Sequence, residues 1–276
     1  MPLAKPRRTA MIAAMGAIST QQGHIGFSEA GGGDALPIIF LHGVGSDKSV
    51  WRPQLEHFGK ARRAVAFDYP GYGESEFVEG ATRDEFAASI LAAMDALGIE
   101  RAHVCGLSLG GVIAIAMHAA APHRCASLII ADSFAVHPDG QGIYDRSVAA
   151  SQAMTMRDLA KARSGALLGS AASDELRREV IDTMAGIDPA AYRLGAAAVW
   201  LADQRDRAID ISRTTLILVG DEDVITPPAL SKELERLIAD PVLEIIPACG
   251  HLANAEQPER FNAAIDRFLA EVETPA

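Results

Sequence analysis

Three side chains in this sequence have the types and surroundings needed for acyl transfer. Ser108 stands in Gly106-Leu107-Ser108-Leu109-Gly110. Asp223 stands in Gly220-Asp221-Glu222-Asp223-Val224-Ile225-Thr226-Pro227, and His251 in Cys249-Gly250-His251-Leu252. A serine hydroxyl is a weak nucleophile near neutral pH, so it needs a base, and the base needs an orienting partner. Histidine suits the base because it titrates near working pH. The order serine, acid, histidine is the one that accompanies a Gly-x-Ser-x-Gly turn. Three carboxylates crowd the acid turn: Asp223 is assigned to the histidine, Asp221 to capping the turn, and Glu222 to solvent. Asp132, at the end of the preceding strand, is the rival acid. A tetrahedral oxyanion needs donors fixed in advance. The backbone N–H of Leu109 is one. Val44, in Leu41-His42-Gly43-Val44-Gly45-Ser46, is the other. His42 is expected to brace that loop rather than act as a second base, and Ser46 could add a polar contact.

A hydroxyl presented this way requires a strand, a sharp turn and a helix. Ala102–Cys105 is a short apolar run and Leu109–Ala121 an apolar helix pattern, with glycines where a crowded turn leaves no room for larger side chains. Continuous apolar runs at Pro37–Leu41, Arg63–Phe67, Ser127–Ala131, Thr214–Val219 and Val242–Ile246 read as strands buried on both faces. Thr82 with Glu85 forms a capping box for a helix closed by Gly98. Further helices are expected from Pro227-Pro228 to Ile238 and over Pro258–Val272. Strands alternating with helices predict a mostly parallel sheet covered on both faces. The rhythm breaks from Phe134 to Asp210, where only helical patterns occur. That stretch follows a strand's C-terminal end, where ligands bind in open α/β sheets. The expected organisation is a core of residues 1–133 and 211–276, with a helical cap over 134–210.

The 276 residues are nearly half apolar, enough for a sizeable core. A net charge of −11 argues against nucleic acid or an anionic membrane as partner. Cys105, Cys125 and Cys249 offer neither a disulfide framework nor zinc spacing and fit small buried residues in a reducing compartment. Lys5, Arg7 and Arg8 before the apolar stretch Ala10–Ile18 faintly resemble a signal peptide. The stretch is short and no clean cleavage box follows. An edge strand over Ala13–Thr20, a turn at Gln21-Gln22-Gly23 and a return over His24–Glu29 are expected instead. The expectation is a cytoplasmic protein acting on a small molecule, without cofactor or metal. Its oligomeric state is not legible.

Together the motifs resemble the α/β-hydrolase superfamily: His42-Gly43, Asp68-Tyr69-Pro70-Gly71-Tyr72-Gly73-Glu74-Ser75, Gly106–Gly110, Gly220–Pro227 and Gly250-His251 run in its order. The Asp68–Ser75 segment is expected to be a structural turn shaping the sheet edge. Within the superfamily, Leu97–Gly111 and Gly250–Glu259 are similar to 3-oxoadipate enol-lactonases. The resemblance implies hydrolysis of a small lactone or carboxylic ester through an acyl-enzyme, in aromatic catabolism, with Ser108, Asp223 and His251 as the triad. Two other readings stay open. One is a hydrolase of a carbon–carbon bond in a β-diketone or ring-cleavage product, or a perhydrolase, with the same triad. The other is a non-catalytic ligand-binding homologue. Candidates for substrate contact in the cap are Tyr144, Met154, Tyr192 and Trp200 for an apolar pocket. Arg146 or Arg193 could hold a carboxylate.

Overall fold

The computed structural model describes residues 12–274. Strands β1 (Ile12–Thr20) and β2 (Gly23–Ala30) form a hairpin. Then come β3 (Ile38–Leu41), a 3-10 turn at Lys48–Trp51, α1 (Arg52–Phe58), β4 (Ala64–Phe67) and α2 (Arg83–Ala96). Next are β5 (Ala102–Leu107), α3 (Leu109–Ala120) and β6 (Cys125–Ala131). Five helices follow: α4 (Gly140–Ala153), α5 (Met156–Leu167), α6 (Asp174–Ala185), α7 (Pro189–Trp200) and α8 (Arg205–Ile209). The chain closes with β7 (Thr215–Gly220), α9 (Pro228–Leu237), β8 (Val242–Ile246), α10 (Ala253–Glu256) and α11 (Pro258–Val272).

The eight strands form one sheet in the order β1-β2-β4-β3-β5-β6-β7-β8. The β1–β2 and β2–β4 pairs are antiparallel and the others parallel. This is the α/β-hydrolase fold the sequence predicts. Every residue of β3, β4, β5, β6 and β7 is buried, which is why these strands read as unbroken apolar runs. At the edge, β8 buries only Ile246. The capping box of α2 has both its bonds: Thr82 Oγ1 accepts from Glu85 N, and Glu85 Oε2 accepts from Thr82 N at 2.6 Å.

The hairpin expected near the N-terminus is present. The described part of the apolar stretch, Ile12–Ile18, lies in β1, while Lys5, Arg7, Arg8 and Ala10 lie outside the described residues. The helical segment between β6 and β7 leaves and rejoins the sheet through one neck. Val136 bridges Asp203, Gln204 N donates to Ala135 O at 2.9 Å, and Gln204 Nε2 donates to Val112 O of α3 at 2.7 Å. Among the described residues, no helix is long and apolar enough to cross a membrane.

Candidate active site

Ser108 sits between β5 and α3 with φ 55° and ψ −114°. A non-glycine residue in that region costs about 1–3 kcal/mol and persists only where its surroundings hold it. Here Ser108 N donates to Ala131 O at 2.9 Å, and Ser133 Oγ donates to Ser108 O at 2.8 Å. The flanking glycines are required by close approach: a Cβ at Gly106 would overlap the Gly110 carbonyl, and one at Gly110 the Leu41 carbonyl. The Ser108 hydroxyl is buried and bonded to no side chain or backbone group among the described residues.

Loops at the C-terminal ends of β7 and β8 bring Asp223 and His251 together. His251 Nδ1 lies 2.9 Å from Asp223 Oδ2. A carboxylate only accepts, so Nδ1 carries a proton, and in the neutral ring Nε2 keeps its lone pair. Four bonds converge on the Asp223 carboxylate. Oδ2 also accepts from Thr226 Oγ1 at 2.6 Å, and Oδ1 accepts from Ile225 N at 2.8 Å and Thr226 N at 3.0 Å. Burial works to raise the Asp223 pKa, but the His251 charge and the bonds from His251 and Thr226 outweigh it and hold it below the usual value. Asp132 behaves differently. It is fully buried, its Oδ1 accepts from Gly220 N at 2.8 Å, and its Oδ2 has no partner among the described residues. Burial, reinforced by the Asp223 charge, pushes its pKa well up. Of the two acids, Asp223 is the one bonded to the imidazole.

The loop after β3 lies against Ser108: an added Cβ on Gly43 would meet Ser108 Cβ at 3.4 Å. His42 Nδ1 donates to Gly43 O at 2.8 Å, and Ser46 N donates to the same oxygen at 3.2 Å. The Gly43–Val44 peptide is trans and planar, so fixing its carbonyl aims the Val44 N–H to the opposite side. Neither Val44 N nor Leu109 N donates to another backbone group among the described residues. Leu109 heads α3, where an unpaired N–H and the helix dipole favour negative charge.

The Asp68–Ser75 segment follows β4 and turns against β2, where Asp68 N donates to Gly26 O at 2.9 Å and Gly26 N donates to Ser75 Oγ at 2.8 Å, and it also braces the loop after β3. Tyr69 Oη donates to His42 O at 3.1 Å and Tyr72 Oη to Val44 O at 3.2 Å. Buried Asp68 holds Lys48 N at 2.8 Å and Lys48 Nζ at 2.6 Å. Burial lowers the pKa of His42 and keeps its ring neutral.

A cavity of about 890 Å³ opens between the sheet and the helical segment and is lined by Ser108, His251, Gly43 and Val44. Its apolar wall includes Leu107, Leu167, Leu176, Val180, Trp200, Ile225 and Leu252. Residues 38–264 match the alpha/beta hydrolase family.

The chain belongs to this family.

It is similar to proteins whose names specify different substrates. It is 29% identical over 260 residues to 3-oxoadipate enol-lactonase 1 of Acinetobacter baylyi, covering 93% of this chain and 97% of that protein. It is also 29% identical over 260 residues to 2-hydroxymuconate semialdehyde hydrolase of a Pseudomonas species, covering 88% and 90%. Among solved structures, a malate-bound thermophilic esterase from Thermogutta terrifontis matches with a TM-score of 0.86 and 28% identity, covering 95% of this chain and 100% of that one.

The substrate-contact candidates separate sharply. Ser46 and Trp200 line the cavity, Trp200 stacking on Phe134 with ring centroids 5.8 Å apart. The other five do not. Arg146 is turned outward on α4 and pairs with Asp139 at 2.7 Å. Met154 is exposed just beyond the same helix. Tyr144 packs against the core, and Tyr192 is buried within it on α7. Arg193, next to Tyr192 on α7, also lies off the wall. Leu176, Val180 and Thr183 of α6 were not singled out from sequence. Their i, i+4, i+7 spacing is the signal of one helical face on the cavity.

Proposed function

We propose that this protein is a serine hydrolase of carboxylic esters and lactones, with Ser108 as nucleophile, His251 as base and Asp223 as its orienting acid. In this reading Ser108 Oγ attacks the substrate carbonyl while its proton passes to His251 Nε2. Asp223 fixes the tautomer that leaves Nε2 open and stabilises the imidazolium that forms. The N–H groups of Val44 and Leu109 hold the oxyanion. Collapse expels the alcohol, which takes the proton back from Nε2. Water then gives a proton to His251 and attacks the acyl-enzyme, and collapse breaks the acyl–Oγ bond, Ser108 Oγ taking the proton back from Nε2 as the acid leaves. The observation that carries the reading is the Ser108 elbow opening into the same cavity as a His251 ring already bonded to Asp223.

The cavity favours an uncharged, apolar substrate. Lys48, Arg52 and Arg163 share its wall with Asp47, Glu175, Glu179 and Asp182, so no net positive field draws an anion in. Lys48 is tied to Asp68 and Glu74, and Arg52 stands 3.6 Å from Glu179. In this reading residues 134–210 act as the cap that sets specificity, with Trp200 and the α6 face forming the walls around the acyl or alcohol group. The relative named as a 2-hydroxymuconate semialdehyde hydrolase keeps carbon–carbon hydrolysis as the second reading.

The test is a pair of measurements. Fluorophosphonate should label the wild-type protein and not the Ser108→Ala variant, and that variant should lose ester hydrolysis while keeping its melting temperature. Retained turnover would overturn the assignment. Faster turnover of a ring-cleavage dienoate than of an apolar ester or an enol-lactone would move the reading to carbon–carbon hydrolysis.

A further inference from the structure

Glu256 lies five residues beyond His251, and its carboxylate accepts three backbone N–H groups. Oε1 takes Gly250 N at 3.0 Å and Leu252 N at 3.3 Å, the two residues flanking the histidine. Oε2 takes Gly169 N at 2.8 Å, from the turn between α5 and α6. The turn also reaches the histidine through Leu167, the last residue of α5, because His251 N donates to Leu167 O at 3.0 Å. It is also bound to the acid turn. Ser170 N and Ser170 Oγ donate to the Glu222 carboxylate at 2.6 and 2.9 Å, one residue before Asp223. The backbones are in close contact here. An added Cβ on Gly169 would stand 2.7 Å from Gly250 N, and one on Gly250 would stand 2.6 Å from Gly169 N.

We propose that Glu256 is a positioning residue for His251, and that through Gly169 it couples the seating of the α5–α6 turn to the placement of the imidazole. The inference rests on the triad reading above. The carboxylate touches neither substrate nor the reacting atoms. It fixes the main chain on both sides of the histidine and ties that main chain to the helical segment forming the far wall of the cavity. Displacing the segment then moves the base, so the site is complete only with the α5–α6 turn seated. Gly169 and Gly250 are glycines because the two main chains touch. Ser170 and Glu222 form a second tie on the acid side, so the turn engages both loops that carry the proton-transfer groups.

Glu256→Gln tests this selectively. The amide keeps one acceptor oxygen, so it can serve the Gly250–Leu252 pair or Gly169, but not both. Gly169→Ala approaches the same contact from the helical side, remote from substrate. Each variant is expected to lower kcat on a p-nitrophenyl ester, and the rate of fluorophosphonate labelling, by about 10- to 100-fold, the scale of a small misplacement of a catalytic group. KM should stay within about threefold, and the double variant should lose little more than the worse single one, because both break one link. Two results would overturn the proposal. One is kcat and labelling unchanged in both variants while Ser108→Ala is inactive. The other is a loss that follows the melting temperature, with normal kcat per folded molecule. Activity retained by Ser108→Ala would instead bring down the triad reading on which the inference stands.

Discussion

Asp223→Asn is the most discriminating substitution the geometry offers. Asn is nearly isosteric, so the question is which way its amide lies. Oδ1 of Asp223 accepts from Ile225 N and Thr226 N, both locked in the turn. With the amide oxygen there, those bonds survive and the NH2 falls where Oδ2 was, facing His251 Nδ1 and Thr226 Oγ1. The opposite orientation would set NH2 against two backbone N–H groups. Two stranded donors at ~1–3 kcal/mol each make that roughly 2–6 kcal/mol worse. The threonine hydroxyl can rotate and accept, which favours the first orientation further. An NH2 facing Nδ1 then forces the proton onto Nε2, the atom that accepts the Ser108 proton in the proposed mechanism. A wrong tautomer with intact geometry costs about 10,000-fold in kcat, or about 5 kcal/mol of barrier. The assay is burst-phase hydrolysis of a p-nitrophenyl ester of a short apolar acid, with the melting temperature as a control for folding. Activity within about tenfold of wild type would refute the reasoning. If Asp132→Asn were inactive instead, the orienting acid would be Asp132.

Other consequences can be checked by simpler experiments. Tyr72→Phe removes a bond to Val44 O, so at about 1 kcal/mol it should lower kcat about fivefold with KM unchanged, and an unaltered kcat would show that the loop needs no such brace. Asp132 has a raised pKa in the fold. Above the unfolded carboxylate range, near ~3.9, the unfolded chain ionises while the native state keeps its proton. Native stability therefore falls with rising pH up to the folded pKa, and Asp132→Asn should flatten that fall. Thermal melts of both proteins from pH 5 to pH 8 would decide it, since parallel curves would mean Asp132 is charged in the fold. Val180→Trp should fill the α6 side of the cavity, raising KM at least about tenfold for bulky esters and much less for acetates, as followed by steady-state kinetics; an equal effect on both would place substrate elsewhere.

The sheet was legible because its central strands are buried on both faces and therefore carry unbroken apolar runs. The serine turn was legible because backbone collision at Gly106 and Gly110 leaves no residue but glycine. The acid turn was legible from its place after the next-to-last strand, and Asp223 within it because Asp221, directly after the strand, suits capping the turn. The role of Glu222 was not visible: it reads as a solvated carboxylate, and only the fold brings Ser170 to it across 52 residues of sequence. Glu256 was hidden for the same reason, as its partner Gly169 is 87 residues away. The pocket candidates were chosen by residue type, yet in a helical segment packed on a core the large aromatics serve packing as readily as substrate. Tyr192 went to the core, and Arg146 to a surface pair with Asp139. The i, i+4, i+7 face of Leu176, Val180 and Thr183 shows helical periodicity as an ordinary core-facing stripe does. Only the fold distinguishes a stripe facing a cavity from one facing the core.

This difference in legibility has a physical origin. The groups assigned to chemistry are held by main-chain contacts: Asp223 by two backbone N–H groups, the Val44 peptide through Gly43 O and Val44 O, and His251 by Leu167 O and the N–H groups Glu256 gathers. Main-chain contacts demand particular residues, above all glycine where backbones touch, so they leave motifs. The cavity wall is made of side chains whose requirement is shape. Any apolar residue of suitable volume meets that requirement at a modest energetic difference. Substitutions at Leu176, Val180 or Trp200 can therefore reshape the pocket without disturbing a bond to the Ser108, His251 or Asp223 loops. Relatives whose names specify an enol-lactonase and a semialdehyde hydrolase, each 29% identical to this chain, are what such a division would produce.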